Sequence, residues 1–259
     1  MSYTAKVKEL MIRLLGPRVS AVVHGARFAT LATDERFTDR EIEFVKRHLR
    51  SGDVAVDVGA NGADWTRQLS KIVGKNGVVY AFEADPYYAE ATKWACRFLG
   101  LGNVHLFSFG LSEAIEQVCL NATDAHGGRA SGTGKIDRSK NDDKFVYSIE
   151  LRPLDSLVWD WPRLQNCRVI KCDVEGFELF VLRGAREIIA KSCPMIIFEV
   201  GRFEEQGYGP EDIILLFEEL NYKSYYVDAT GSLTGCDNML SVNSTGNVNR
   251  IALPNESCN

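Results

Sequence analysis

The stretch VAVDVGANGADWT at residues 54–66, followed by VVYAFEADP at 78–86, decides the fold. Alternating β-branched valines open the first block, and this pattern predicts a buried strand. Gly59 and Gly62 come directly after that strand, and apolar side chains then recur at helical spacing. The second block is another apolar strand, which ends at Glu83. A strand, a glycine-rich turn, a helix and a second strand are typical of a nucleotide-binding βαβ unit.

Acidic residues close both strands, and they limit which nucleotide can bind. Asp57 and Glu83 lie 26 residues apart, close to the offset of roughly 20 residues at which an acid meets a ribose in such units. A dinucleotide site needs three glycines spaced G-x-G-x-x-G, but Asn61 and Asp64 replace the two that should follow Gly59. The sequence has no G-K-[ST] phosphate loop either. An acid just before the glycine would repel a pyrophosphate and suits a cation instead.

S-Adenosylmethionine (SAM) fits this pattern because it carries a sulfonium, an amino group and a carboxylate. Asp57 can face the positive end, amides at the helix N-terminus can bind the carboxylate, and Glu83 can accept both ribose hydroxyls. The alternative is an acid-capped turn in an unrelated α/β protein. We expect the cofactor-binding residues to be Asp57, Gly59, Ala60, Asn61, Thr66, Glu83, Ala84, Gly110, Leu111 and Asp173.

Composition bounds the class of protein. A length of 259 residues suits one large α/β domain with additions. A net charge of −5 gives no support for nucleic-acid binding. The seven cysteines form no C-x-x-C pair, which indicates mostly reduced residues in a cytoplasmic protein. The oligomeric state stays open.

The first 50 residues are predicted to form a helical extension before the cofactor-binding domain at 51–259. Apolar residues at helical spacing and several lysines and arginines predict a basic amphipathic helix that ends near Gly16 and Pro17. Arg13 interrupts its apolar run, which argues against a signal peptide, and no run in the sequence is long enough to cross a bilayer. Packing onto the domain's own flank is favoured over weak association with a membrane surface.

A polar segment at 121–144 is predicted to be a long variable loop. It is rich in Gly, Ser, Asn and Asp, and it contains His126 and Arg129. We favour solvent exposure of these two side chains over contacts with an acceptor substrate.

The rest of the sequence continues the alternation of predicted strands and helices that begins with the βαβ unit. Strands alternate with helices, so we expect an α/β fold with a doubly wound, mostly parallel sheet and an antiparallel C-terminal strand. The loop at Gly110 and Leu111 follows the third strand and should lie beside the adenine. The predicted strands are 104–109, 114–120, 145–151, 168–173, 194–200, 222–227 and 249–253, and the predicted helices are 39–50, 87–99, 154–159, 177–190 and 210–220.

The block KCDVEGFE at 171–178 is the second centre of chemistry. Ligands of open parallel sheets bind at the carboxyl ends of the strands, so Asp173, Glu175 and Glu199 should share a rim with Asp57. These three acids are the candidate catalytic residues, with Asp173 as general base for an acceptor hydroxyl. They are equally the candidate ligands if a divalent cation such as Mg²⁺ binds. Helix capping explains one such acid more easily than three.

Several blocks together resemble the FkbM family of SAM-dependent methyltransferases, over residues 53–254. The blocks are DVGANGADWT, FEADP, RPLDSL, KCDVEGFELFVLRGA, PMIIFEV and NRIALP. The resemblance implies a class I, Rossmann-like enzyme, in a family of which many members methylate hydroxyls of sugars, polysaccharides or polyketides. One position departs from the family pattern, because Ala63 replaces its usual glycine.

We therefore expect an O-methyltransferase that acts on a hydroxyl of a sugar, glycan or glycolipid. A peptide, carboxylate, phenol or polyketide acceptor is the alternative within the same class. A SAM-binding scaffold without catalysis is the alternative from another class, and a nicotinamide dehydrogenase is disfavoured by the missing glycines. A nucleic-acid partner is not expected.

Overall fold

The computed structural model describes residues 3–31, 39–123, 134–137, 145–228, 231–235 and 249–255, with side chains in the first helix from residue 14 onward. His126, Arg129 and most of the polar segment at 121–144 lie outside these ranges. The described helices are α1 (Tyr3–Leu31), α2 (Glu41–His48), α3 (Asp64–Val73), α4 (Pro86–Phe98), α5 (Glu178–Arg183), α6 (Arg186–Ser192) and α7 (Pro210–Glu219). The described strands are β1 (Val54–Val58), β2 (Val78–Phe82), β3 (Val104–Phe107), β4 (Gly110–Leu111), β5 (Glu116–Asn121), β6 (Lys135–Asp137), β7 (Val146–Arg152), β8 (Cys167–Cys172), β9 (Met195–Glu199), β10 (Tyr222–Val227), β11 (Leu233–Gly235) and β12 (Asn249–Pro254).

Among the described residues, eight strands form one sheet in the order β11-β10-β12-β9-β8-β1-β2-β3. The five strands from β9 to β3 in this order are parallel, and helices cover both faces. The predicted doubly wound α/β fold is therefore confirmed. The last strand is antiparallel, as predicted, and it lies between β9 and β10 rather than at the edge.

A second, four-stranded sheet in the order β4-β7-β5-β6 packs over the carboxyl side of the first. The alternating patterns at 114–120 and 145–151 correctly predict strands, but the sequence gives no sign that they leave the main sheet. Residues 135–137 form β6 within the segment predicted to be a loop. The small sheet adds Leu120, Ile149 and Leu151 to the main core.

Two helical predictions are corrected by the structure. The chain kinks at Gly16 and continues as a second helical stretch to Leu31, because Pro17 suits the first turn of a helix. The predicted helix at 177–190 is two helices separated at Gly184. The second helix has its own start, because the Asp155 carboxylate accepts from the amides of Glu187 and Ile188 in its first turn.

No helix within the described ranges is long and apolar enough to cross a membrane. Cys96, Cys119, Cys167 and Cys172 are free thiols, as the composition predicts. Cys193 differs from them, because it is disulfide-bonded.

Candidate active site

A cavity of about 370 Å³ opens at the carboxyl ends of β1, β2, β8 and β9, under the small sheet. This volume lies in the range of small-molecule sites, roughly 300–1,000 Å³. Nine of the ten residues predicted to bind the cofactor line it, and so do all three predicted catalytic acids: Asp57, Gly59, Ala60, Asn61, Glu83, Ala84, Gly110, Leu111, Asp173, Glu175 and Glu199. The tenth cofactor residue, Thr66, lies behind the wall.

Asp57 forms the floor of the cavity and is almost completely buried. Burial raises the pKa of its carboxyl to about 6, although a hydrogen bond from Thr66 and the charge of Lys171 oppose this. The Thr66 hydroxyl donates to Asp57 Oδ2, so Thr66 contributes by orienting Asp57 rather than by lining the cavity. A buried anion at this point favours a ligand that brings a positive charge.

The loop after β1 is held tightly by its own backbone. The amides of Gly59 and Ala60 both donate to the carbonyl of Phe82, at 2.9 and 3.0 Å. The Gly62 amide donates to Thr92 Oγ1 at 3.0 Å, and the Ala63 amide donates to the carbonyl of Ala60 at 2.8 Å. The loop amides are thus already used, so amide contacts to a bound carboxylate have to come from the first turn of α3.

Two residues of this loop need a left-handed backbone. Gly59 has φ +84°, and a Cβ atom there would overlap the carbonyl oxygen of Asp173. Ala63 has φ 72°, a conformation that glycine adopts with much less strain. The alanine that departs from the family pattern therefore keeps the glycine-like backbone.

Glu83 stands at the end of β2 with both carboxylate oxygens fixed. Oε2 accepts from the amide of Asn61 at 3.0 Å, and Oε1 accepts from the amide of Asp85 at 2.9 Å. Burial raises the pKa of this carboxyl to about 7, and the nearby charges of Asp85 and Asp57 act in the same direction. Each oxygen keeps a further lone pair for a donor in the cavity, which suits the two hydroxyls of a ribose.

Lys171 is a site residue that the sequence reasoning missed. Its side chain is 1% exposed, and Nζ lies 3.0 Å from Asp173 Oδ2 and 3.4 Å from Asn249 Oδ1. The ring of Trp65 lies 5.6 Å from the same ammonium, measured to its centroid. Asp57 of β1 is paired with Lys171 of β8 in the sheet, so the ammonium of Lys171 lies between the carboxylates of Asp57 and Asp173. A charged residue in the middle of the apolar strand RVIKCD is the sequence signal that could have identified it.

Asp173 and Glu199 form a carboxyl pair at the mouth of the cavity. Both side chains line the cavity, and burial together with the charge of Asp173 raises the pKa of Glu199 to about 8. Lys171 contacts Asp173 from the buried side, with its Nζ 3.0 Å from Asp173 Oδ2. Glu199 is therefore mostly protonated near neutral pH, and carboxyl oxygens of both residues face the cavity.

Glu175 is held apart from this pair. Its Oε2 lies 2.5 Å from Nη1 of Arg202, and both residues have a left-handed backbone with φ 56°. Strained backbone of this kind concentrates at functional sites. Within the described ranges, no three His, Cys, Asp or Glu side chains are grouped so that they could hold a metal ion. The cation alternative for Asp173, Glu175 and Glu199 gains no support there.

The small sheet forms the opposite wall. A Cβ atom on Gly110 would lie 3.3 Å from that of Ala84, so the two residues meet at the side of the cavity. Leu120 and Ile136 add apolar lining from β5 and β6. Lys135 on β6 pairs with Glu205 at 2.5 Å and so connects the small sheet with the loop that carries Arg202. Further lining residues not predicted from the sequence include Asp39, Tyr88, Phe109 and Phe177.

The main sheet is mostly parallel, with β11 and β12 antiparallel to their neighbours, and the buried carboxylate of Glu83 follows β2. This is the class I methyltransferase architecture that the sequence predicts. The family model described as "Methyltransferase FkbM domain" matches residues 57–224. The chain belongs to the FkbM methyltransferase family. No curated protein matches it.

Solved structures with similar architecture include other methyltransferases. A methyltransferase FkbM from Methylobacillus flagellatus KT is 20% identical with a TM-score of 0.43, covering 62% of this chain and 36% of its own. This chain thus spans about a third of that protein's length. A SAM-dependent methyltransferase from Aquifex aeolicus is 15% identical with a TM-score of 0.44, and the match covers 88% of this chain and 96% of that one. A SAM-dependent O-methyltransferase from Thermotoga maritima is 14% identical with a TM-score of 0.47, and the match covers 85% of this chain and 67% of that one.

Proposed function

We propose that this protein is an O-methyltransferase that transfers the methyl group of SAM to a hydroxyl of a sugar, as part of a glycan or glycolipid. The observation that carries the proposal is the Asp173–Glu199 pair at the mouth of the cavity. A hydroxyl is a weak nucleophile, and it gains most from a group that accepts its proton as the new bond forms. An acceptor that is already nucleophilic has less need of such a pair.

The cofactor supplies a methyl group on a sulfonium, which leaves as neutral S-adenosylhomocysteine (SAH). The acceptor oxygen forms the new carbon–oxygen bond as the carbon–sulfur bond breaks, and the hydroxyl proton passes to Asp173. Lys171 holds Asp173 in place through a hydrogen bond of 3.0 Å, and Glu199 lies next to Asp173. Holding the reacting atoms in line can contribute about 7–11 kcal/mol, and proton transfer adds about 10²–10⁴-fold.

Polar groups around the mouth support a polyhydroxyl acceptor. The Glu175–Arg202 and Lys135–Glu205 pairs lie beside the catalytic pair, partly exposed to solvent. They offer both donors and acceptors to a ring with several hydroxyls. Phe177 adds an apolar surface to the same wall.

The test is a transfer assay that measures SAH formation with a panel of oligosaccharides, glycolipids, peptides, phenols and carboxylic acids. We expect turnover with a carbohydrate and a stable ether product. Asp173→Asn should lower kcat by about 10²–10⁴-fold. Glu113→Gln, which removes a surface acid paired with Arg183, is the control and should behave as the native protein.

Calorimetric titration with SAH measures cofactor binding separately from methyl transfer to an acceptor. Full activity of Asp173→Asn with unchanged SAH affinity would show that Asp173 is not the base. Transfer to peptides or phenols without transfer to any carbohydrate would contradict the sugar acceptor and leave methyl transfer intact. Native protein that binds SAH but turns over nothing in the panel would support the scaffold alternative.

A further inference from the structure

The outer face of α1 is apolar and basic, and nothing in the described structure covers it. Val19 and Val23 are 51% and 43% exposed, and Leu14 and Leu15 just before the kink are 71% and 49% exposed. Arg18 and Arg27 are exposed beside them. Val19 and Val23 lie four residues apart in the stretch after the kink, and hence on one side of that helix.

The inner face of the same helix is already used. Ala21 and Phe28 pack against Tyr87 and Tyr88 of α4, and Ser20 Oγ lies 2.9 Å from the hydroxyl of Tyr87. The expected packing onto the domain's flank is therefore present, and the exposed stripe is a separate surface. Polar residues would be expected on the outer side of a helix whose only role is to cover α4.

A second apolar and basic group lies on α4, next to the inner face of α1. Trp94 abuts α1, since its Cβ lies 2.6 Å from a Cβ atom built on Gly25. The rings of Trp94 and Phe98 are 5.7 Å apart, and the guanidinium of Arg97 lies 4.8 Å from the Trp94 ring centroid. Phe98 is 52% exposed. Tryptophan and phenylalanine flanked by arginine are typical of surfaces that enter the headgroup layer of a bilayer.

Charge decides between the possible occupants of this face. Residues 14–31 contain no Asp or Glu, and residues 1–31 carry a net charge of +4 in a chain whose total is −5. A second copy joined by a two-fold axis would place this acid-free surface against itself, so that arginines would meet arginines. Glu90, the nearby acid on α4, is already bonded to Lys93 and Trp94. An anionic lipid surface supplies the missing negative charge together with an apolar layer for the valines and leucines.

We propose that the outer face of α1, with Trp94, Arg97 and Phe98, docks the protein onto an anionic membrane surface. The helix lies along the bilayer and does not cross it. This inference is independent of the proposed methyl acceptor, and its test needs no acceptor.

The experiment is sedimentation of the full chain with vesicles of phosphatidylcholine, alone or with about a third of phosphatidylserine. We expect binding to the anionic vesicles only, and loss of binding when NaCl is raised from about 0.05 M to about 0.5 M. Each arginine near the surface is worth about fivefold in affinity. The double variant Arg18→Gln/Arg27→Gln should therefore bind about 25-fold more weakly.

A second pair of variants tests the apolar contribution. Val19→Glu/Val23→Glu should abolish binding, whereas Ile214→Glu/Leu215→Glu should bind like the native chain. The latter pair is a matched control, because Ile214 and Leu215 are 38% and 54% exposed on α7. SAH affinity and circular dichroism verify that each variant is folded.

Three results would overturn the inference. The first is that the native chain does not bind anionic vesicles better than neutral ones. The second is that the α7 control loses binding to the same extent as the α1 variant. The third is that light scattering reveals a dimer that Val19→Glu/Val23→Glu dissociates, in which case a second copy covers the face.

Discussion

Glu83 shows how burial turns a common side chain into a specific ligand. Its two oxygens are fixed by the amides of Asn61 and Asp85, so they point at the cavity without a cost in side-chain ordering. The same burial raises its pKa to about 7. Only the ionised carboxylate accepts from both ribose hydroxyls with both of its oxygens, so the protonation state of Glu83 should control cofactor affinity.

We expect SAH to bind the native protein about tenfold more weakly at pH 6 than at pH 8, because most Glu83 carboxyls are protonated at the lower pH. Glu83→Gln should bind SAH weakly, with little change between the two pH values. Calorimetric titration across this range measures both. A pH dependence of the same size in Glu83→Gln would assign the effect to another group, of which Asp57 with its pKa of about 6 is the first candidate.

Glu83 and Lys171 also show what single residues reveal in a sequence. An acid at the end of a predicted strand has a known meaning in βαβ units, so Glu83 is placed by pattern alone. Lys171 lies inside a strand, and the pattern of apolar residues along that strand does not predict which side chains surround it. Its role depends on Asp173, Asn249 and Trp65, which only the folded chain brings around it. The spacing of residues along the sequence does not predict contacts between residues so far apart in the chain.

At the scale of elements, the boundaries of the parallel strands follow directly from the sequence. Strands β1, β2 and β10 begin and end where the apolar patterns predict. The small sheet was not predicted, because alternation indicates a strand but does not indicate its partner. The break between α5 and α6 was missed for a similar reason, since the start of α6 is capped by Asp155, a residue far away in the sequence.

Gly59 joins the two loops that build the site, and its substitution tests that junction. Gly59→Ala would force a methyl group against the carbonyl of Asp173 in a left-handed backbone. We expect a loss of at least about 1–2 kcal/mol in the free energy of unfolding, together with loss of SAH binding. Urea unfolding and calorimetry measure the two effects.

Gly102→Ala is the matched control for this prediction. A Cβ atom there meets nothing within 4 Å, so its stability should change by no more than about 0.5 kcal/mol. If Gly59→Ala were as stable as Gly102→Ala and bound SAH normally, the loops after β1 and β8 would not be as closely packed as described.

At the scale of the whole molecule, both ends of the described chain reach the cofactor site. Phe28 of α1 packs 2.9 Å from a Cβ atom built on Gly62, in the loop after β1. Asn249 at the start of β12 lies 3.4 Å from the ammonium of Lys171. The site is therefore complete only when α1 and the last strand are both in place, although neither belongs to the βαβ unit that identifies it.

This arrangement predicts that the site and the sheet unfold together. In a urea titration, loss of SAH binding and loss of the circular dichroism signal should share one midpoint, because no part of the site is stable without the sheet. SAH at about 100 times its dissociation constant should add about 2.7 kcal/mol and move both signals to higher urea by about 1 M. Phe28→Ala should lower both midpoints by the same amount. A loss of SAH binding well before the loss of dichroism would instead mean that α1 or β12 detaches while the parallel strands remain folded.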